Sequence, residues 1–407
     1  MQSRLILLAV ILLAIDFYSY QAFKVVFSDE RILKAFWIFT FITIATFITA
    51  QLTNYAHWPK IIRTYWTALI FIVYLSKLFI LPFLLVDDLV RLGKLGYNGL
   101  SGALTSHQGG ADLSRARFLS QVGLVVAALP FLTFIKGMIT GLDDFTVRNV
   151  KFRLAKLPAS FNGLRIVQIS DLHVGTYLNG DPLKKAFAII KKLNPDLIFF
   201  TGDLVNNLAE EAEPYIDLFK DVTAPMGVYS IMGNHDYGDY HQWPSLEEKQ
   251  DNHRRFINIH KQAGWKLLLN ENTELEKEGE KINLIGLENW GGRNFSKYGN
   301  MEKAMTGMKD NPVTILLSHD PSHWTLEVSQ KYPDVDITLS GHTHGMQFGI
   351  ETKTFKWSPV KWVYKHWAGL YNRGSQYLYV NRGMGCIGYP GRVGILPEIT
   401  LIELANS

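Results

Sequence analysis

The sequence has a single cysteine, Cys386, and few charged residues for its length. One cysteine cannot form a disulfide within the chain, and it excludes a cysteine-rich zinc module. Charged residues make up only 19% of the 407 residues and hydrophobic residues make up 47%, which excludes an intrinsically disordered chain. The net charge of +4 is too small and too evenly spread to indicate a nucleic-acid partner.

The hydrophobic residues are concentrated before Gly141. Four segments there are long and apolar enough to cross a bilayer core about 30 Å thick. They cover residues 5–27, 35–52, 64–86 and 118–139. We therefore predict an all-α transmembrane bundle of four helices in residues 1–142 and a second domain in residues 143–407. The glycine-rich segment 87–117 is predicted to be a mobile loop.

Two ionisable residues, Asp16 and Lys77, lie inside the predicted spans. Charges within a membrane are functional candidates by default, but one pair does not make a conduction path. We expect Lys77 either to reach the interface or to pair with Asp16 and hold helices together. Flanking lysines and arginines are equally numerous on the two sides, so the positive-inside rule does not orient the bundle.

From residue 164 onward, short apolar segments end in polar clusters. The clusters are SDLH after 164–169, TGD after 196–200, GNHD after 227–232, SHD after 313–317 and SGHTH after 335–339. The apolar segments are typical of buried strands, and the intervening residues, such as 182–192, have helical periodicity. An α/β fold binds ligands outside the carboxyl ends of its strands, so we expect the five clusters to share one crevice.

The side chains of these clusters are typical of metal ligands. Carboxylate, imidazole and amide groups without thiolate suit hard or borderline divalent ions, and there are more of them than one ion needs. Two ions about 3.5–4 Å apart can bind a phosphoryl group and activate a water between them. The sequence therefore predicts hydrolysis of a phosphate ester or anhydride. Any one cluster alone also occurs as an ordinary turn, and only the set of five is specific.

In these motifs, residues 151–404 resemble the calcineurin-like metallophosphoesterases, and phrases such as FNGLRIVQISDLHVG and MGNHDYG resemble the membrane-anchored bacterial branch. The resemblance implies an α/β/β/α sandwich of two mixed sheets and two divalent ions, Mn²⁺ first, with Fe or Zn²⁺ as alternatives. It implies a catalytic His235, which would donate to a phosphoryl oxygen or protonate the leaving group. The implied metal ligands are Asp171, His173, Asp203, Asn234, His319, His342 and His344.

One position departs from the family pattern. The phosphoprotein-phosphatase branch has an acidic residue three positions after the Gly-Asp aspartate, and that residue orients the catalytic histidine. Here the position holds Asn206. The departure weakens a protein-phosphatase prediction and leaves the partner of His235 open.

Basic residues on glycine-rich segments are candidates for substrate binding. Arg293, Arg382 and Arg392 lie in NWGGRN, NRGMG and YPGRVG, and arginine suits bidentate recognition of phosphate. The alternative is that each is a solvated loop residue.

Residues 352–371 interleave three tryptophans, Trp357, Trp362 and Trp367, with lysines. Past Pro359 the pattern predicts a short amphipathic helix, which would contact the membrane at the lipid headgroups. The alternative is an aromatic cap packed on the edge of the domain.

These features favour a membrane-bound two-metal phosphohydrolase that uses a hydroxide held between the ions. Its substrate is expected to be lipid-linked, such as a phospholipid or the UDP-diacylglucosamine-type lipid that the resemblance implies. The resemblance also implies a bacterial inner membrane with a cytoplasmic catalytic domain. Two alternatives stay open: a phosphodiesterase or nuclease for soluble substrates that is merely tethered, and a non-catalytic membrane sensor or transporter. The sequence does not predict an oligomeric state.

Overall fold

The computed structural model describes residues 2–53, 58–101, 109–293 and 295–407. By its internal contacts the chain divides into two units, Met1–Lys136 and Gly137–Ser407. The boundary expected from the sequence, after residue 142, stays a prediction.

The first unit is helical. Its helices are α1 (Gln2–Val26), α2 (Glu30–Leu52), α3 (Thr67–Leu78), α4 (Leu81–Ser101) and α5 (Gly109–Thr140), and one π-helical turn, Ile62–Trp66, precedes α3. Within the described residues of this unit, four segments are long and apolar enough to cross a membrane, which confirms the predicted set of four. They are Leu7–Val26, Glu30–Ala50, Ile62–Tyr97 and Leu113–Thr140.

The third of these segments is interrupted between α3 and α4. Pro82 has no backbone N–H, so the carbonyl of Leu78 cannot receive the usual helical hydrogen bond, and the chain turns at Phe79 and Ile80. The loop predicted for residues 87–117 is wrong for 87–101 and 109–117, which are helical. Residues 102–108 lie outside the described residues. Apolar residues recur between the glycines of residues 87–101 and 109–117, and they favour the helices there.

A buried ion pair joins two helices of the first unit. Asp16 of α1 and Lys77 of α3 are both buried and bonded to each other, and Tyr74 donates to the other carboxylate oxygen of Asp16 at 2.6 Å. The ammonium group of Lys77 also lies 4.6 Å from the ring centre of Phe36 on α2. The structure therefore confirms the pair, which links three helices.

The second unit contains two mixed six-stranded sheets. The first sheet has the order β1 (Thr146–Arg153), β14 (Glu398–Ala405), β2 (Arg165–Ile169), β3 (Leu197–Phe200), β4 (Val228–Ser230), β5 (Lys266–Leu267). The second has the order β12 (Gly369–Arg373), β13 (Gln376–Val380), β9 (Ile337–Ser340), β8 (Thr314–Leu317), β7 (Glu280–Gly286), β6 (Glu271–Lys277). A separate hairpin pairs β10 (Ile350–Glu351) with β11 (Lys356–Trp357).

The two sheets pack face to face, and helices cover their outer faces. Apolar residues of both sheets, such as Phe199 of β3 and Leu317 of β8, form one buried cluster between them. The outer face of the first sheet packs against α6 (Asp181–Lys192) and α8 (Leu246–Ala263). The remaining helices are α7 (Ile216–Lys220), α9 (Met301–Met305) and α10 (Ser329–Lys331). The α/β/β/α architecture expected from the resemblance is confirmed.

All five strands predicted from apolar segments are present, as β2, β3, β4, β8 and β9. Strands β2, β3 and β4 run parallel in the first sheet, and β8 and β9 run parallel in the second. Because parallel strands end at the same edge of a sheet, the polar clusters that follow them are brought together.

Candidate metal centre

Six of the predicted ligands form two groups of three. Asp171, His173 and His344 offer one ligand atom each, all within 4.8 Å of one another. A second group with the same limits is formed by Asp203, His319 and His342.

Asp203 borders both groups. Its Oδ2 atom lies 3.1 Å from Nε2 of His319 and 3.5 Å from Nε2 of His173. Burial alone would lower the pKa of His319, but the nearby carboxylate of Asp203 raises it to about 10. Asp203 is thus within contact distance of one histidine from each group.

The backbone is left-handed at five of the six residues. The φ angles are positive at Asp171, His173, Asp203, His342 and His344, between 43° and 73°. Such angles are unfavourable for residues with a Cβ atom and cluster at functional sites, where the surrounding structure enforces them. Here the positive φ angles turn neighbouring side chains of one motif, such as Asp171 and His173, toward the same group of ligands.

The Gly-Asn-His-Asp turn contributes a seventh candidate, Asn234. Its Nδ2 donates to the hydroxyl of Tyr240 at 2.9 Å, and this contact leaves the amide oxygen for a metal. A Cβ atom on the preceding Gly233 would overlap Oδ1 of Asp203 and lie 2.7 Å from Cε1 of His319. Only glycine therefore allows this turn to approach the second group.

Hydrogen bonds orient two imidazoles of the second group. Nδ1 of His319 lies 2.7 Å from the carbonyl oxygen of Thr201, so it donates there and Nε2 faces Asp203 and the second group. Nε2 of His342 lies 2.7 Å from the hydroxyl of Tyr364, which leaves Nδ1 for the group. Metal-binding histidines are usually fixed by such outer contacts.

A second observation indicates that these donor atoms suit divalent ions. Among the residues that the structure describes, several buried nitrogen and oxygen atoms of these side chains make no hydrogen bond. They are Nδ1 and Nε2 of His173, Nε2 of His344 and Oδ1 of Asn234. A buried polar atom without a partner costs free energy of folding. A bound ion can supply a partner to several such atoms at once.

Asp236, which sequence reasoning left without a role, organises the backbone around the site. Its carboxylate accepts hydrogen bonds from the N–H groups of Asp203 and Leu204 at 2.8 Å and from that of Gly233 at 2.9 Å. Burial and the charge of Asp203 raise the pKa of Asp236 to about 7. The final aspartate of the GNHD motif therefore holds the GD and GN turns together.

His235 lies beside the first group, with its ring 5.0 Å from that of His173. Its backbone N–H donates to Oδ1 of Asp203 at 2.9 Å, and its Nδ1 lies 2.7 Å from the carbonyl oxygen of Asn206. Burial lowers the pKa of the His235 ring to about 4. The partner that the sequence left open is therefore the main chain of Asn206, which no side-chain motif could have indicated.

Glu211 fixes the segment that contains this carbonyl. Its carboxylate accepts from the backbone N–H of Asn206 at 2.6 Å and from that of Leu208 at 3.3 Å. A Cβ atom on Gly175 would overlap this carboxylate, so the loop after β2 closes over it. Burial raises the pKa of Glu211.

Two of the three predicted substrate-binding arginines, Arg382 and Arg392, are buried against protein partners. Arg382 bonds to Glu398 and Glu351, at 2.6 Å each. Arg392 donates to the backbone carbonyls of Gly385 and Arg382, and it also lies 3.2 Å from Nδ1 of His344. Both side chains organise loops, and their role in substrate binding stays a prediction.

Arg293, the third, is exposed at the rim of the second group. It donates to the backbone carbonyl of Val363, and its guanidinium lies 5.2 Å from the ring centre of Tyr364. Its role in substrate binding stays a prediction.

The tryptophan-rich segment is not a helix. It forms β11, a short 3₁₀ turn at Pro359–Trp362 and β12, because Trp367 turns inward to pack with Val360 and Ile395. Trp367 is 4% exposed and Trp357 is half-buried, whereas Trp362 is 71% exposed. Of the three tryptophans only Trp362 is largely exposed, and the predicted membrane contact stays a prediction.

Two family models match the chain. The model described as "Probable Calcineurin-like phosphoesterase, transmembrane domain" matches residues 2–142. The model described as "Calcineurin-like phosphoesterase" matches residues 164–346, which include every residue of the two groups.

Three relatives illustrate the likeness. A transmembrane protein with metallophosphoesterase domain from Danio rerio is 30% identical, over 82% of this chain and 72% of the relative. The metallophosphoesterase YkuE of Bacillus subtilis (strain 168) is 32% identical, over 62% of this chain and 82% of its own. The UDP-2,3-diacylglucosamine pyrophosphatase LpxG of Chlamydia trachomatis serovar D is 29% identical, over 64% and 89%. The chain thus belongs to the calcineurin-like metallophosphoesterases, metal-dependent phosphoester hydrolases, and to their members with a four-helix transmembrane domain.

Proposed function

We propose that this protein is a membrane-bound two-metal phosphohydrolase that cleaves a phosphodiester or pyrophosphate bond in a lipid-linked substrate. The two adjacent groups of buried carboxylate and imidazole side chains carry the metal part of the proposal. The four apolar helices and the likeness to LpxG, whose name describes a pyrophosphatase of UDP-2,3-diacylglucosamine, support the lipid part.

We assign each candidate ligand to an ion. Asp171, His173 and His344 would hold the first ion, and Asp203 would bridge to the second, which is completed by Asn234, His319 and His342. Two divalent ions, when bound, neutralise the phosphoryl oxygens and lower the pKa of water. Mn²⁺ is our first choice, with Fe or Zn²⁺ as alternatives, because nitrogen and oxygen donors accept all three.

His235 is the proposed catalytic side chain. The Asn206 carbonyl and the Asp203 carboxylate fix its position through Nδ1 and the backbone N–H. Nε2 is then the ring nitrogen that remains for the substrate, where it would contact a phosphoryl oxygen or the leaving oxygen. General acid catalysis of this kind contributes roughly 10²–10⁴-fold in rate.

The test uses the full-length protein in detergent with Mn²⁺ added back. We expect hydrolysis of a phosphodiester, and a loss of at least about 100-fold in kcat for Asp203→Ala and His235→Ala. Asp217→Ala is the matched control, because Asp217 lies on the surface of α7. Full turnover by either site variant would refute the mechanism.

A substrate panel separates the lipid-linked proposal from the soluble-substrate alternative. Lipid-linked and soluble phosphoesters with the same scissile bond are compared on the same full-length preparation. A higher kcat/KM for the lipid-linked ester supports the proposal, and a preference for the soluble ester refutes its lipid part. For the membrane side we propose the cytoplasm, and a topology reporter fused after Ser407 checks it.

A further inference from the structure

The chain between His344 and β12 forms an arm beside the second group of candidate ligands. We call residues 350–364 the apolar arm; it consists of the β10–β11 hairpin and the 3₁₀ turn that follows. Val360 of the arm packs with Trp367 and Ile395 in a small buried cluster, and Ser358 donates to the carbonyl of Gly345 at 2.7 Å. These contacts fix the arm to the body of the catalytic unit.

The outer face of the apolar arm is hydrophobic. Ile350 and Phe355 are each 55% exposed, and Trp362 is 71% exposed. Ile350 is paired with Trp357 across the hairpin, and residues opposite each other share a face of the sheet. The rings of Trp357 and Trp362 are 6.0 Å apart. Ile350, Trp357 and Trp362 thus form one continuous apolar surface.

The apolar arm is joined to the second group through Tyr364. Tyr364, two residues after Trp362, bonds to Nε2 of His342 at 2.7 Å. Arg293 donates to the carbonyl of Val363, whose side chain is also exposed. A molecule with its phosphate at the second group could therefore extend directly along the arm.

The charge of the arm complements a phosphate headgroup. Lys353 and Lys361 are exposed on the arm, and Lys365 follows it. Lysine stems can line an apolar surface while their ammonium groups stay in water near a phosphate. The arm thus combines an apolar face with cations at its margin, as an amphipathic lipid requires.

We propose that the apolar arm binds the acyl chains of the substrate while its phosphate is held at the metal centre. This inference rests on the proposed function and specifies how the lipid is recognised. The closeness of the arm to His342 favours the chains of the bound substrate over the surrounding bilayer as its occupant. Exposed apolar side chains at a reaction site are a recurring mark of such binding.

The experiment varies acyl length on one headgroup. Full-length protein in detergent with Mn²⁺ is given phosphodiesters with no acyl chain or with butanoyl, hexanoyl or octanoyl chains, each below its micelle concentration. We expect KM to fall as the chain lengthens, by up to about fourfold for each methylene that becomes buried. In Trp362→Ser and Ile350→Ser, the ratio of kcat/KM between the octanoyl and acyl-free esters should drop at least about tenfold.

Leu246→Ser is the matched control, because Leu246 is 70% exposed on α8 and lies outside the arm. It should keep the dependence on chain length. The inference is overturned if KM does not depend on chain length, or if Trp362→Ser keeps the full dependence. A variant that keeps the dependence on chain length in detergent but loses activity in vesicles would show that the arm binds the bilayer, and would also overturn the inference. If no ester in the series is hydrolysed, the proposed function itself fails.

Discussion

Glu211 provides, five positions further along the chain, the carboxylate that position 206 lacks. It does not touch His235. It holds the N–H groups of Asn206 and Leu208, and the carbonyl of Asn206 in turn receives Nδ1 of His235. The acid therefore positions the histidine through one peptide unit.

We expect Glu211→Gln to lower kcat roughly ten- to hundredfold with little change in KM. The amide has one acceptor oxygen where the carboxylate has two, so the segment 206–208 would shift and His235 with it. Steady-state kinetics over a range of pH measures the effect. Glu210→Gln, on the exposed side of the same turn, should behave as the parent. An unchanged kcat for Glu211→Gln at every pH would contradict the positioning role.

The identities of the site residues could be read from the sequence, but their contacts could not. Asp171, His173 and His342 follow apolar segments that are recognisable as strands. The left-handed backbone at these residues could not be predicted from the sequence, because glycine is the only residue type whose presence indicates a positive φ. The sequence did not indicate the ion pair between Arg382 and Glu351, because the two residues are distant in the chain.

The Asp16–Lys77 pair joins α1 and α3, and both residues lie in segments that are assigned to membrane spans. A buried pair of this kind adds little net stability, but removing one partner leaves an uncompensated charge. The pair thus specifies which faces of α1 and α3 meet.

We expect Lys77→Met to destabilise the first unit by about 3–5 kcal/mol, because Asp16 would stay buried without its counter-charge. The double variant Asp16→Leu/Lys77→Met should recover most of that loss. Thermal unfolding of the full-length protein in detergent compares the three chains. A single variant as stable as the parent would show that the pair is dispensable.

Elements with one clear apolar signal were predictable, and elements set by distant packing were not. Strand β3 is a continuous apolar segment and β2 is mostly apolar, because both faces of these strands are covered. Strands β1 and β6 lie at sheet edges and are rich in polar and charged residues, so no apolar segment predicted them. The segment after Pro359 had helical spacing, but the burial of Trp367 against Ile395 prevailed.

At the scale of the whole molecule, stability also depends on a buried histidine outside the catalytic motifs. His260 on α8 packs against Phe256 and Trp265. Burial lowers its pKa to about 4, below the usual value of 6.5. The unfolded chain therefore binds a proton that the folded chain excludes between these two pH values.

We expect the contribution of His260 to the stability of the catalytic unit to be complete above pH 6.5 and to be lost as the pH drops toward 4. The loss is roughly 3 kcal/mol at most. His260→Phe keeps the aromatic packing and should flatten the dependence on pH. The midpoint of thermal unfolding, measured with metal chelated from pH 4 to 8, checks the change. Equal slopes for parent and variant would exclude His260 as the cause.

Strand β1, which directly follows the helical unit, pairs with β14, and Lys151 bonds to Glu403 across 252 residues of sequence. During translation at roughly 5–20 residues per second, β1 leaves the ribosome about 10–50 s before its neighbour exists. The helices can enter the bilayer in that interval, while the first sheet is still open. Closure of the catalytic unit is thereby timed to follow membrane insertion, and a nascent chain without β14 presents an unpaired edge to chaperones and proteases.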